Sequence, residues 1–153
     1  MYTHVYYTTV WWMFTGNVAA FKLAYGHYDT STEGRVKFDT VALNHGNRYN
    51  TDTNLFTSPY SGLYTFIAQV CDSNLVGFWI RTNGVIDISS ARIYDHSELN
   101  CATTTGVTDL DKGDEVDVYI NGEIRRFSTN QFAGDLIRRY YWLLHRQLYI
   151  RVH

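Results

Sequence analysis

Two adjacent arginines, Arg125 and Arg126, are the first side chains in this chain that could do chemistry. They sit in Asn121-Gly122-Glu123-Ile124-Arg125-Arg126-Phe127, a loop of the last long hairpin. A guanidinium presents a planar fork of donors matched to carboxylate and phosphate. The pair suits acidic sugars, lipopolysaccharide phosphates or an acidic protein patch. The plainer reading is a solvated pair that balances nearby acids. Tyr94, with Asp95 and Asn100, forms a second cluster suited to sugars, which stack on aromatic faces and bond to polar side chains; the competing reading is a polar, solvated loop. Gly-x-Ser-x-Gly, a Gly-rich phosphate loop, Cys-x-x-Cys and His-Glu-x-x-His are all absent. The six histidines carry no local signature of a catalytic triad. The chemistry legible here is ligand binding from loops on a rigid scaffold, not catalysis.

The scaffold must be β. Tyr, Phe, Val, Ile and Thr abound and proline occurs once, a composition suited to pleated, half-buried surfaces. Val18 to Ala24 reads as a first strand, and residues 25–34 as a polar loop. Val36 to Leu43 alternates apolar and polar residues with period two. Asn44 to Asn47 turns, Leu55 to Thr57 is short, and Ser58 to Gly62 turns again around Pro59, which cannot donate to a ladder. Leu63–Cys71 and Leu75–Thr82 are the best central strands. Asn83-Gly84 signals a two-residue hairpin into Val85–Ser90. Residues 91–100 read as a polar loop. Cys101–Leu110, Glu115–Ile120 and Phe132–Ile137 complete about ten antiparallel strands with no helical repeat. An all-β jelly-roll β-sandwich fits that pattern.

A chain of 153 residues suggests one domain with a single core. All fifteen acidic residues precede residue 138, where the basic count is nine, so residues 1–137 carry a net charge of about −6. An acidic body argues against nucleic acid, which calls for a basic face. No run of about eighteen apolar residues exists to span a membrane as a helix.

The aromatic and glycine spacing goes further. Phe38, Asn44, Tyr49, Phe56, Gly62, Tyr64 and Phe66 follow F-x5-[N or D]-x4-aromatic-x6-F-x5-G-x-Y-x-F-x-aromatic, with Ala68 in place of the final aromatic. The spacing resembles the signature of the complement C1q globular head. Leu110-Asp-Lys-Gly113-Asp114-Glu-Val116-Asp-Val118 resembles that family's L-x-x-G-D-x-V-x-V turn and strand. Phe132-x-Gly134-x-Leu136-Ile137 resembles its closing strand, and Asn83-Gly84 its hairpin. The resemblance covers residues 18–137. Phe21, Phe38, Phe56, Tyr64, Phe66 and Phe132 are expected to point inward, each adding roughly 1.5–3 kcal/mol by burial.

The resemblance implies an extracellular, homotrimeric binding module with innate-immune recognition of microbial surface glycans or anionic ligands. The alternative is a secreted signalling ligand or matrix organiser that binds a protein receptor. No Gly-X-Y repeat precedes the head, so a stalkless form is expected. The resemblance also implies that the strands of Cys71 and Cys101 are antiparallel neighbours, where a disulfide could close a loop of about thirty residues and contribute ~3–4 kcal/mol; two free buried thiols is the other reading. Some family members hold calcium in the loop before the long Thr-rich strand. Asp95 matches a family acid there, while His96 and Asn100 stand where further ligands are often found. Calcium would therefore rest on Asp95 with Glu98.

The ends extend beyond the resemblance. Residues 1–17 contain Val10 to Phe14, apolar but too short for a good signal-peptide core and not preceded by Lys or Arg. Secretion is thus expected from the family and not from a clear leader. Residues 138–153 form a basic, aromatic tail without acids. An amphipathic or anion-binding segment and an unstructured or artefactual end are both compatible with it.

Overall fold

A computed structural model describes residues 19–28, 34–94 and 98–140. Ten strands follow one another: β1 (Ala20–Tyr28), β2 (Val36–Asn44), β3 (Tyr49–Asn50), β4 (Leu55–Thr57), β5 (Gly62–Asp72), β6 (Val76–Thr82), β7 (Ile86–Ile93), β8 (Asn100–Leu110), β9 (Glu115–Asn121) and β10 (Gln131–Arg139). They form two five-stranded sheets, ordered β2-β1-β10-β5-β8 and β3-β4-β9-β6-β7. Every pairing is antiparallel. The described residues contain no helix long and apolar enough to cross a membrane. The fold is the jelly-roll sandwich that the alternation and turn spacing predict.

The core lies between the sheets. Phe21, Phe38, Phe56, Tyr64, Phe66 and Phe132 are all buried in it. Phe21 is the centre of the ring cluster, with its centroid 4.8 Å from Phe132, 5.0 Å from Phe56 and 5.6 Å from Tyr49. Gly134 makes this packing possible. A Cβ there would sit 2.4 Å from the Phe66 ring and 2.8 Å from the Phe21 ring, so only glycine lets both rings reach the strand backbone.

Asn44 and Asp114 hold turns. The Asn44 amide accepts the backbone N–H groups of Arg48 and Tyr49, each at 3.0 Å, and donates to the Tyr49 carbonyl at 2.9 Å. The Asp114 carboxylate accepts the Asp111 N–H at 2.8 Å and the Asn83 amide at 3.1 Å, which ties two turns at one end of the sandwich.

Several strand boundaries differ from the sequence expectation. β1 continues to Tyr28 instead of yielding to a loop at residue 25. β2 pairs with this half of β1, Gly26 with Phe38 and Tyr28 with Val36, and on its other side the Gly26 and Tyr28 N–H groups reach the carbonyls of Asn130 and Ile124. Gly26 lies against the Phe38 ring, 2.7 Å from where its Cβ would be. β3 has only two residues, too few for alternation to show. β7 runs on to Ile93, carried by pairing of Ile93 with Val76. At the C-terminal end β10 continues to Arg139, two residues past the expected boundary. Residues 1–18 and 141–153 lie outside the described residues, and with them both terminal segments apart from 138–140.

Candidate ligand-binding surface

The β5–β6 turn, the start of β8 and the β9–β10 connection meet at one end of the sandwich. Cys71 and Cys101 stand directly opposite on β5 and β8 and are joined by a disulfide. Asp72, the next residue, is fully buried. Its carboxylate accepts the backbone N–H groups of Ser73 at 2.7 Å, Asn74 at 3.1 Å and Arg125 at 2.8 Å. Three N–H donors on a buried carboxylate supply the compensation that burial of a charge needs.

Asn130 fixes the other end of the connection. Its side chain accepts the Cys71 N–H at 2.7 Å and donates to the carbonyls of Gly26 and Arg125, each at 2.9 Å. The loop that carries the two arginines is therefore clamped at Arg125 by both Asp72 and Asn130. A loop held this way can present side chains with little ordering cost on binding.

The arginines diverge. The Arg125 guanidinium bonds to the Ser73 hydroxyl, stands 3.8 Å from Asp72 and lies 5.2 Å from the Phe127 ring centroid. Arg126 bonds to Asp39 on β2 and lies 4.7 Å over the Tyr25 ring. His27 Nδ1 approaches the same Asp39 oxygen at 3.6 Å. The two forks are each partnered and do not converge on one ligand. Both remain more than half exposed, and Arg125 is the one whose fork lies at the loop end beside Asp72 and Ser73.

Tyr94 is exposed, and the Asn100 amide donates to the Glu98 carbonyl at 3.3 Å. Asn100 pairs with Asp72 across β5 and β8, so it shares the loop end with Arg125. Asp95, and with it the expected Asp95–Glu98 calcium pair, lies outside the described residues. Among the described residues no group of three or more His, Cys, Asp or Glu side chains is arranged to hold a metal.

A second polar cluster lies on the outer face of the β3-β4-β9-β6-β7 sheet. Asp117 is buried, yet it receives Arg35 at 2.9 Å and Arg81 through Nε at 3.0 Å and Nη2 at 2.7 Å. Arg81 also lies 4.0 Å over the Tyr119 ring, whose centroid is 6.0 Å from that of Trp79. Tyr49, buried in the core, has its hydroxyl pKa raised by burial first and by the Asp117 charge second. The sequence carried a signal for part of this cluster in the alternation of Glu115–Ile120, which sets Asp117 and Tyr119 on one face. It gave none for Asn130, which reads as an ordinary turn residue.

The C1q domain profile matches residues 20–137 of this chain. The chain belongs to the C1q domain family. The globular domain of zebrafish complement 1qA superposes with a TM-score of 0.62 at 19% identity, covering 80% of this chain and 98% of that one; the likeness is one of fold. A heavy metal-binding protein, HIP, of Mytilus edulis is 30% identical over 87 residues, 56% of this chain. The match spans 41% of that relative's length.

Proposed function

We propose that this C1q domain is an extracellular binding module that assembles as a homotrimer and recognises microbial surface glycans or anionic ligands. The observation that carries it is the outer face of the β2-β1-β10-β5-β8 sheet. Val107, Ile67 and Leu43 are each more than a third exposed there. Beside them a cleft of about 270 Å³ runs over Gly134 between β1, β10 and β5. Burial between copies would remove this apolar surface from water, and three copies is the assembly that family membership implies. The disulfide fits an oxidising compartment. Three loop ends on one rigid body would raise avidity by ~10²–10⁴ where the target allows simultaneous contact. Arg125, with Tyr94 and Asn100 at the same end and Asp95 between those two in the sequence, is the proposed contact set; Arg126 braces β1 and β2. Calcium at Asp95 and Glu98 is proposed as an aid to that contact and not as a structural requirement.

Sedimentation of the purified protein and its pull-down on whole bacteria, with and without EDTA, test the reading. A trimer that binds bacteria, and a Val107→Asp/Ile67→Asp variant that sediments as a monomer and binds poorly, are the expected results. A wild-type monomer at micromolar concentration, or a folded trimer that binds no microbial surface, would overturn it. Loss of binding in EDTA would support the calcium arm, and unchanged binding would remove it.

A further inference from the structure

The outer face of the second sheet holds a trough of about 450 Å³ whose lining includes neither Arg125 nor Arg126 and no residue of the apolar face of the first sheet. It is lined by Trp79, Arg81, Gly84, Val85, Tyr119 and Asn121. Asn121 pairs with Gly77 at the start of β6, and Val116 with Thr82 at its end. Gly84 and Val85 lie in the hairpin just beyond Thr82. The trough thus follows the whole of β6, a run of ~17 Å at the usual rise per residue. A lone ion or a single small ring would leave most of it unfilled. An extended chain of rings matches its length.

The lining says which chain. Gly34 packs against the Tyr119 ring, 2.5 Å from where its Cβ would be, and Arg81 lies over it. Trp79 therefore offers the ring surface left for a ligand. It rests on Gly77, where a Cβ would be 2.9 Å from the indole and 3.5 Å from Arg92 Nε. The two bonds from Arg81 to Asp117 use Nε and Nη2, which leaves the Nη1 donors of the fork. Around the two rings, Arg35, Arg81 and Arg92 stand against Asp117 among the described side chains. Glu115, exposed two residues from Asp117 on the same face of β9, adds a second carboxylate, so the preference for an anionic ligand rests on the Arg81 fork. Asn121, exposed at the far end, adds an amide that can both donate and accept.

We propose that this trough binds a uronate-bearing oligosaccharide laid along β6, with one sugar ring on Trp79 and a carboxylate on the free donors of Arg81. The proposal takes glycan recognition from the preceding section and gives it a site separate from the loop end.

Titration calorimetry with tetragalacturonate, alongside the same tetramer methyl-esterified, reads the site directly. Wild-type protein should bind the acid form, and the ester about tenfold more weakly, the loss of a charge-assisted contact. Trp79→Ala should weaken the acid form about tenfold, with an unchanged melting temperature showing that the fold is intact. Trp79→Phe, which keeps a ring, should retain most of the affinity should Trp79→Ala prove unstable. Arg125→Ala should bind the tetramer as wild type does. Equal binding by Trp79→Ala and Trp79→Phe overturns the stacking site. Loss of binding in Arg125→Ala with none in the Trp79 variants moves the ligand to the loop end, ending this inference and leaving the proposed function standing. Absence of tetragalacturonate binding in a protein that still captures bacteria also ends this inference alone. Polyglutamate competing as well as the sugar would reduce the trough to a charge patch and overturn the assignment.

Discussion

The Asn130 side chain accepts the backbone N–H of Cys71 at 2.7 Å, joining positions 59 apart in the chain. The same amide reaches Gly26 on β1 and Arg125 in the β9–β10 connection. One buried side chain therefore supplies partners for three backbone groups from three segments. Those groups lie where the arginine loop leaves the sandwich, so the rigidity of the candidate contact surface rests on this contact.

Asn130→Ala would leave those groups buried without partners. An unmade buried hydrogen bond costs ~1–3 kcal/mol, so a loss of at least about 2 kcal/mol is expected, read as a lower urea midpoint. Asn130→Asp should recover only part of it, since a carboxylate can still accept from Cys71 but cannot donate to the two carbonyls. A wild-type midpoint in Asn130→Ala would remove the amide from its structural role.

The Cys71–Cys101 bridge closes a segment with a sequence separation of 30. Loop entropy for that length gives ~3–4 kcal/mol of stabilisation. The Cys71→Ala/Cys101→Ala variant should unfold at a clearly lower temperature than the oxidised protein and be insensitive to dithiothreitol. Thiol titration of denatured, unreduced wild type should detect no free thiol. Two titrating thiols would remove the bridge and with it the support it lends to an oxidising compartment.

Gly134→Ala puts a methyl group into the Phe66 and Phe21 rings, which are themselves packed on Phe56 and Phe132. Neither ring has space to retreat into, so overpacking should cost ~1–3 kcal/mol or more. Gly84→Ala is the control: nothing lies within 4 Å of its would-be Cβ, and its φ of +71° imposes only local backbone strain. A variant at 134 as stable as wild type would show that the ring stack is looser than its geometry.

Much of the fold was legible because core spacing is a local property of strands. Phe38, Phe56, Tyr64 and Phe66 declare two inner faces by their intervals, and the glycines between them declare the turns. What was hidden depends on partners far away in sequence. The second half of β1 has no pattern of its own and is held between β2, which pairs Gly26 with Phe38 and Tyr28 with Val36, and residues about a hundred positions on that bond to Gly26 and Tyr28. The site was less legible than the fold. Arg125 and Arg126 read as one fork because they are adjacent, yet Asp72 and Asp39 draw them to different strands. Asp117 read as one polar position in an alternating strand. The β6–β9 pairing brings Arg81 to it and an isolated bridge to Tyr119 brings Arg35, which makes a charged wall beside Trp79.

The buried Tyr49 hydroxyl gives this fold a specific alkaline weakness. It has no hydrogen-bond partner among the described residues, and burial together with the Asp117 charge raises its pKa above the ordinary value of 10.0. The folded state thus holds the phenolic proton more tightly than the unfolded chain does. Its contribution to stability is whole below pH ~10 and declines above it, as the unfolded chain ionises first, by up to ~1.4 kcal/mol per pH unit. Tyr49→Phe removes that slope. At neutral pH it should cost little, because the hydroxyl it deletes makes no hydrogen bond. Asp117→Asn should leave the slope over this range in place, since burial is the larger cause, while destabilising at all pH values by leaving Arg35 and Arg81 without their carboxylate. Urea unfolding of the three proteins between pH 7 and 11 separates these effects. An alkaline slope in Tyr49→Phe as steep as that of wild type would assign the weakness to other tyrosines, Tyr64 first among them, whose pKa is also raised by burial.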